Sequence, residues 1–234
     1  HVTTIDLTSN IPFQVARGTP ISDSDGFRQA TLLFPQGTTA VMTLPNGTTQ
    51  SLTTLNVRST EYTVGANGLE AMPAELPASS AYTYATEFSA DEVMTAGASG
   101  PEFSQAIISY NENFLNFPVG TPIPLGYYDS SHGVWVSSDN GLVVKILSIT
   151  NGIANLDLDG SGIPATAAAL TVLGVTEAER TTLAILYSVG QTLWRTHMMH
   201  FSAWDMNQAT SCAEPCPSPD VPDPEEPILD NPTL

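Results

Sequence analysis

Apolar and polar residues alternate with a period of two along most of the chain before Ala165, and from there to about Val189 the spacing lengthens to three and four. The first period is that of strands with one buried face, the second that of a helix. From Ile5 to Leu55 the runs "QATLLF", "TAVMTL" and "SLTTLNVRSTEYTV" read as antiparallel strands separated by turn chemistry. Asn46-Gly47 sits between two of them, and in a two-residue hairpin turn both central residues take positive φ, which predicts a tight hairpin there. Asn46-Gly47-Thr48 also matches a glycosylation sequon, which the turn explains without any sugar.

The stretch Gly65 to Ser80 has no period and is rich in Pro, Ala and Gly, so it reads as a surface loop. Tyr82 to Phe88 reads as a strand, and Ser89 with Glu92 matches a capping box opening a short helix that Gly97 ends. Three strands follow in "EFSQAIISY", "IPLGYYD" and "GVWVSS", and Asp139-Asn140-Gly141 is expected to turn the chain into a fourth, "LVVKIL". Prolines at 118, 122 and 124 suit an edge and not a central strand. After Ala165, Thr176 caps a helix with Glu179 at the capping-box position, Val175 is placed to staple it, and Leu183, Leu186 and Tyr187 share its apolar face. Gly190 ends that helix, and "QTLWRTHMMHFSAWD" returns to strand.

These elements predict a mainly β chain: an antiparallel β-sandwich with a small helical insertion at about 165–189 and an extended C-terminal tail. Residues 1–27 form an N-terminal strand and linker segment, 28–206 the sandwich module, and 207–234 a tract of proline and acid that cannot bury enough surface to fold alone.

Charge narrows the partners. Six Lys and Arg stand against 24 Asp and Glu in 234 residues, a net charge of −18 that repels phosphate backbones and anionic lipid surfaces. Nucleic acid is excluded as a partner on that ground. No apolar run reaches the roughly 20 residues that cross a bilayer, so no membrane insertion is expected, and "HVTTIDL" has no leader pattern, which suits a mature or excised piece. A surface of hydroxyls and short acids is a common look for secreted β proteins. Cys212 and Cys216, in "SCAEPC", suit a short local disulfide in an oxidising compartment.

Three features are candidates for chemistry. In "NLDLDGSGIP", Asp157, Asp159 and Ser161 alternate with small residues and present hard oxygens from one tight loop, as calcium requires; the bidentate Glu of the helical calcium loop is missing, and an ordinary Asp- and Gly-rich turn has the same composition. In His200-Phe201-Ser202, the Ser202 hydroxyl can attack the carbonyl of Phe201, with His200 as base or as polariser of that carbonyl. The plain alternative is a strand in which His200, Ser202 and Trp204 share one face. His1 could chelate copper through its amine and ring with His132, His197 or His200, although none of these lies in a supporting motif. Gly-rich phosphate loops, paired Cys-x-x-Cys sets and a G-x-S-x-G elbow are missing from the sequence.

Between about Arg28 and Asp205, the series "QATLLFPQGTTAVMTLPNG", "LNVRSTEYTVGANG", "AMPAELPASSAYTYATEFSADE", "NFLNFPVGTPIPLGYYD", "GVWVSSDNGLVVKIL", "LDLDGSGIP" and "LWRTHMMHFSAWD" resembles the region preceding the YD repeats of large secreted bacterial RHS-type proteins. A β-rich body ending in His-Phe-Ser with a Trp soon after also resembles the ankyrin and netrin-receptor type (ZU-five) sandwich, some of whose wider group cleave themselves between Phe and Ser. That resemblance implies that His200 assists, Phe201 supplies the scissile carbonyl and Ser202 attacks. Together these expectations describe a non-catalytic structural module at the bacterial cell surface or outside it, with other domains of the same large protein or neighbouring subunits as partners. Two alternatives stand beside it: a module cleaving its own Phe201–Ser202 bond, and a calcium-stabilised adhesin or filament subunit whose tail donates a strand.

Overall fold

Residues 1–64, 68–75 and 83–207 are described by the computed structural model. The chain opens with β1 (Thr3–Asp6), β2 (Phe13–Arg17) and a small hairpin of β3 (Ile21–Asp23) and β4 (Gly26–Arg28), followed by β5 (Thr31–Pro35). A second hairpin, β6 (Ala40–Thr43) and β7 (Thr49–Leu52), leads into β8 (Thr54–Glu61). The expected hairpin at Asn46-Gly47 is present, with a different turn. The Gly47 amide donates to the Leu44 carbonyl at 2.8 Å, and Gly47 has φ +81° while Asn46 is not left-handed. Pro45 fixes its own φ near −65°, which shifts the turn one residue towards the N-terminus and leaves Gly47 as the left-handed residue after it.

Next come β9 (Ala85–Ala90), α1 (Asp91–Ala96), β10 (Ser99–Glu112), β11 (Pro122–Asp129), β12 (Val134–Thr150) and β13 (Ile153–Asp157). Gly97 ends α1 in the left-handed conformation, as its position predicts, but the capping box does not form: Ala90 is the N-cap and no side chain caps it. The Glu92 carboxylate instead accepts the Asn56 backbone amide at 3.0 Å and its side-chain amide at 2.7 Å, which ties the helix to β8. Asp139-Asn140-Gly141 likewise does not reverse the chain. It is a bulge inside the continuous 17-residue β12, where Ile123 faces Gly141 and Leu125 faces Ser138. Here β12 changes neighbours: its first half pairs with β11, and Leu142 to Lys145 pair with a later strand. Glycine is required at 141, because a Cβ there would lie 2.5 Å from the Arg195 carbonyl oxygen.

The helical insertion consists of α2 (Ala167–Val172) and α3 (Glu177–Leu186), and the chain then returns as β14 (Thr192–His200) and β15 (Ala203–Asp205). Thr166 and Thr176 cap the two helices through the amides of Ala169 and Glu179.

The fold is mainly β and every strand pairing is antiparallel, in one large sheet of order β1-β8-β9-β15-β11-β12-β14-β10-β5-β2 with β6, β7 and β13 attached beside it. Its ends nearly meet: the Gln14 side chain accepts the Asp6 amide at 2.9 Å and donates to the Asp6 carbonyl at 2.6 Å, so β2 lies beside β1. The sheet thus forms two facing walls. Ile5, Leu55, Phe88 and Trp204 from one meet Phe34, Ile107, Trp194 and Met198 from the other in a single core. Alternation sends Leu33, Ile108, Val144 and Leu193 to the outer face, where Leu170, Leu183 and Tyr187 of the helical layer cover them. Arg195 reaches from β14 into that layer and pairs with the buried Glu179 at 2.8 Å.

Among the described residues, no helix is long and apolar enough to cross a membrane. Cys212, Cys216 and the tail beyond Asn207 lie outside the described residues, as do residues 65–67 and 76–80 of the expected loop and the first residue of the expected strand at Tyr82.

Candidate functional site

The His-Phe-Ser triplet falls where the chain passes from one wall to the other. β14 is held between β10 and β12, and β15 between β9 and β11, so Phe201 and Ser202 bridge two different sets of neighbours. Phe201 anchors the crossing. Its ring is buried, with centroids 5.0 Å from Phe103, 6.0 Å from Phe88 and 6.3 Å from Phe34.

The backbone is pinned on both sides of the peptide in question. The Phe201 amide donates to the Pro101 carbonyl at 3.1 Å, and the Ser202 carbonyl accepts the Phe88 amide at 3.0 Å. Between these two bonds, the Phe201 carbonyl and the Ser202 amide belong to neither strand ladder. Neither residue has positive φ, so the bend is made in ordinary backbone regions.

Each polar side chain of the triplet has a separate position. His200 Nδ1 lies 3.4 Å from the Phe201 carbonyl oxygen, and the Ser202 hydroxyl donates to the Tyr128 carbonyl at 2.7 Å. The imidazole stacks on Trp204, with centroids 5.1 Å apart at 26°, and meets the Tyr127 ring edge-on at 4.6 Å. His200 and Trp204 therefore share a face, as alternation predicts, while Ser202 turns to β11. A cleft of about 330 Å³ lies against Phe201 and Ser202 and is bordered by Glu87, Ser89, Met94 and Ser130. The arrangement supplies a hydroxyl, a carbonyl outside the ladders, a nitrogen beside that carbonyl and space for water, which are the components of an intramolecular acyl shift.

The Asp157 loop is organised from within. Asp157 is 2% exposed and accepts the amides of Asp159 (3.2 Å), Gly160 (2.8 Å) and Gly162 (2.9 Å). Asp159 accepts the Ser161 amide at 3.0 Å, and the Ser161 hydroxyl accepts the Ile163 amide at 3.2 Å. The Ser161 side chain, followed by its amide, holds the Asp159 carboxyl below its ordinary value. All three candidate calcium ligands are thus engaged by their own loop, and among the described residues no group of three or more His, Cys, Asp or Glu is placed to hold a metal ion.

The histidines take different partners. His132 Nδ1 is 2.6 Å from Asp129 Oδ2 in an exposed turn, His197 Nε2 is 3.9 Å from Asp139 Oδ2, and His1 lines a cleft with Glu61 and Tyr84. His200 alone adjoins a backbone carbonyl at the crossing.

Two parts of the crossing carry no signal in the sequence. The Tyr128 carbonyl is a backbone atom, and the Tyr127 ring approaches His200 only because β11 lies beside β15, with Tyr127 opposite Trp204. Asn207 closes the far end of β15 by accepting the amides of Thr83 and Tyr84, the second at 2.9 Å. In comparisons with known proteins, no family model, no curated protein and no solved structure matches this chain.

Proposed function

We propose that the chain is a non-catalytic assembly module of a larger bacterial surface or secreted protein, with neighbouring domains or subunits as its partners. The observation that carries this reading is the use made of its scarce cations. Arg28 is buried and bonds Asp23 and Glu61, and Arg195 is buried and bonds Glu179, so charge is spent on fastening one element to another. An acidic exterior on a sheet fastened in this way suits a scaffold. Cross-linking mass spectrometry on the secreted parent protein tests it: cross-links from this module to adjoining domains or subunits are expected. Turnover of an added substrate that is lost in a point variant of this module would overturn it.

A second reading is favoured by one specific observation, the position of the Phe201–Ser202 peptide outside both ladders with His200 beside its carbonyl. On this reading the module cuts its own chain there. Denaturing electrophoresis with intact mass separates the two readings: two fragments from the wild type and one chain from Ser202→Ala support cleavage, and a single intact mass in the folded wild type removes it.

A further inference from the structure

We propose that the chain's own C-terminal tract docks on the helical layer, with Ile228 and Leu229 seated in an apolar groove between α3 and β2 and a flanking carboxylate on Arg17.

The groove lies where two elements meet incompletely. Phe13 and Val15, on one face of β2, form one wall with Ile11, and Ala178, Ile185 and Leu186 of α3 form the other, around a space of about 510 Å³. Phe13, Val15 and Leu186 are half-buried against the outer core, while Ile11 and Ile185 are 56% and 80% exposed. The hydroxyls on the α3 wall need no partner from outside. Those of Thr181 and Thr182 donate to the Glu177 and Ala178 carbonyls of their own helix, each at 2.9 Å. What is left uncovered is apolar surface.

Charge adds a second requirement. Arg17 continues the face of Phe13 and Val15 by one more alternation. Arg28, Arg58 and Arg195 are each held by a carboxylate. Arg17 forms no such ion pair among the described residues, and its Nε donates to the Thr31 hydroxyl at 3.3 Å. A short apolar segment with an acid beside it therefore fits both features.

The sequence beyond Asn207 contains one such segment, "EEPILD". Ile228-Leu229 is the only place in that tract where two large apolar residues adjoin. Glu226 stands two residues before the pair and Asp230 directly after it, so a carboxylate can reach Arg17 in either chain direction. Glu177 also borders the groove but is exposed, so solvent screens it from the other acid. Length permits the contact: about 20 residues separate Asn207 from Ile228 and span up to about 65 Å, against roughly 40 Å across a domain of this size. The tether also holds the segment at about millimolar effective concentration, whereas two copies approach each other against a charge of −18 on each chain.

The test compares hydrogen exchange in the full wild-type chain and in full-length Ile228→Ser/Leu229→Ser, which leaves every residue of the folded body unchanged. Exchange about tenfold faster in the variant is expected at Val15, Ile185 and Leu186, with Val143 in the core unchanged. Arg17→Glu is expected to give the same rise, and Glu226→Lys/Asp230→Lys in that background to reverse it. A diazirine amino acid at position 229, in an equal mixture of isotope-labelled and unlabelled chains, is expected to cross-link to β2 or α3 of the same chain. Equal exchange in the wild type and the Ser variant overturns the proposal, as does an Arg17→Glu chain that exchanges like the wild type or is not rescued by the reversed charges. Cross-links that fall outside the groove also overturn it, and links of mixed isotope give the groove to a second copy instead.

Discussion

Arg195 on β14 and Glu179 on α3 meet at 2.8 Å with side chains 4% and 0% exposed, and this pair joins the helical layer to the sheet. Tyr110 adds a hydrogen bond to the same carboxylate at 2.6 Å, and Arg195 also donates to the Leu173 carbonyl at 3.1 Å. Burial first, and then the Glu179 charge, holds the Tyr110 phenol well above its ordinary value, so it remains a donor. Replacing Glu179 with Gln leaves a buried guanidinium without its counter-charge, which costs about 3 to 5 kcal/mol and lowers Tm by roughly 6 to 20 °C. The double variant Glu179→Leu/Arg195→Met removes both charges and is expected to recover most of that loss in a thermal melt.

Asn207→Ala removes the acceptor for two backbone amides, those of Thr83 and Tyr84. Losing the partner of a buried amide costs about 1 to 3 kcal/mol. Faster hydrogen exchange at Tyr84 than at Phe88 is the expected result, since Phe88 keeps its bond to the Ser202 carbonyl.

At Gly141, an added methyl would meet the Arg195 carbonyl oxygen and Thr196 Cγ2, both at 2.5 Å. Gly141→Ala is expected to destabilise by about 1 to 3 kcal/mol, as overpacking against backbone does. Chemical denaturation should show a lower midpoint with an unchanged slope.

Acid should weaken the seal over the Arg28 site. Hydrogen bonding to Arg28 holds the Asp23 carboxyl below its ordinary value of 3.8, so its folded pKa is depressed. A depressed carboxylate contributes stability that is present above its unfolded pKa and lost as pH falls through the folded one. Glu112 works in the other direction: burial raises its pKa, so its contribution is lost as pH rises from its ordinary value of 4.5 through the raised folded value. Melts from pH 6 down to about pH 2 should show a shallower acid loss in Asp23→Asn than in the wild type, the difference appearing below about pH 4.

Alternation was the most legible level of the sequence. Leu32 and Leu33 face opposite sides of β5, as do Val143 and Val144 on β12, and a period of two is enough to read that. Turn chemistry was less decisive. Asp-Asn-Gly is compatible with both a reversal and a bulge, and the choice depends on β14 lying against Gly141, from more than 50 residues downstream. The same holds for Glu92, whose local role in a capping box loses to Asn56 on a distant strand. At the crossing, the residue types of the triplet were visible, but the end of β14 at His200 was not, because a change of sheet neighbours leaves no mark in the local composition. The Asp157 loop could be read as tight; that its carboxylates bond their own amides followed only from the backbone path.

The unbroken β12 has a consequence for how the molecule comes apart. By pairing with β11 through its first half and with β14 and β13 through its second, this strand belongs to both walls. Neither wall can melt without stripping partners from the other, which makes the sheet a single cooperative unit. The slowest-exchanging amides should therefore cluster around Val143 and Val144, where β12 is fully buried, and their exchange should report global unfolding and not the loss of one layer.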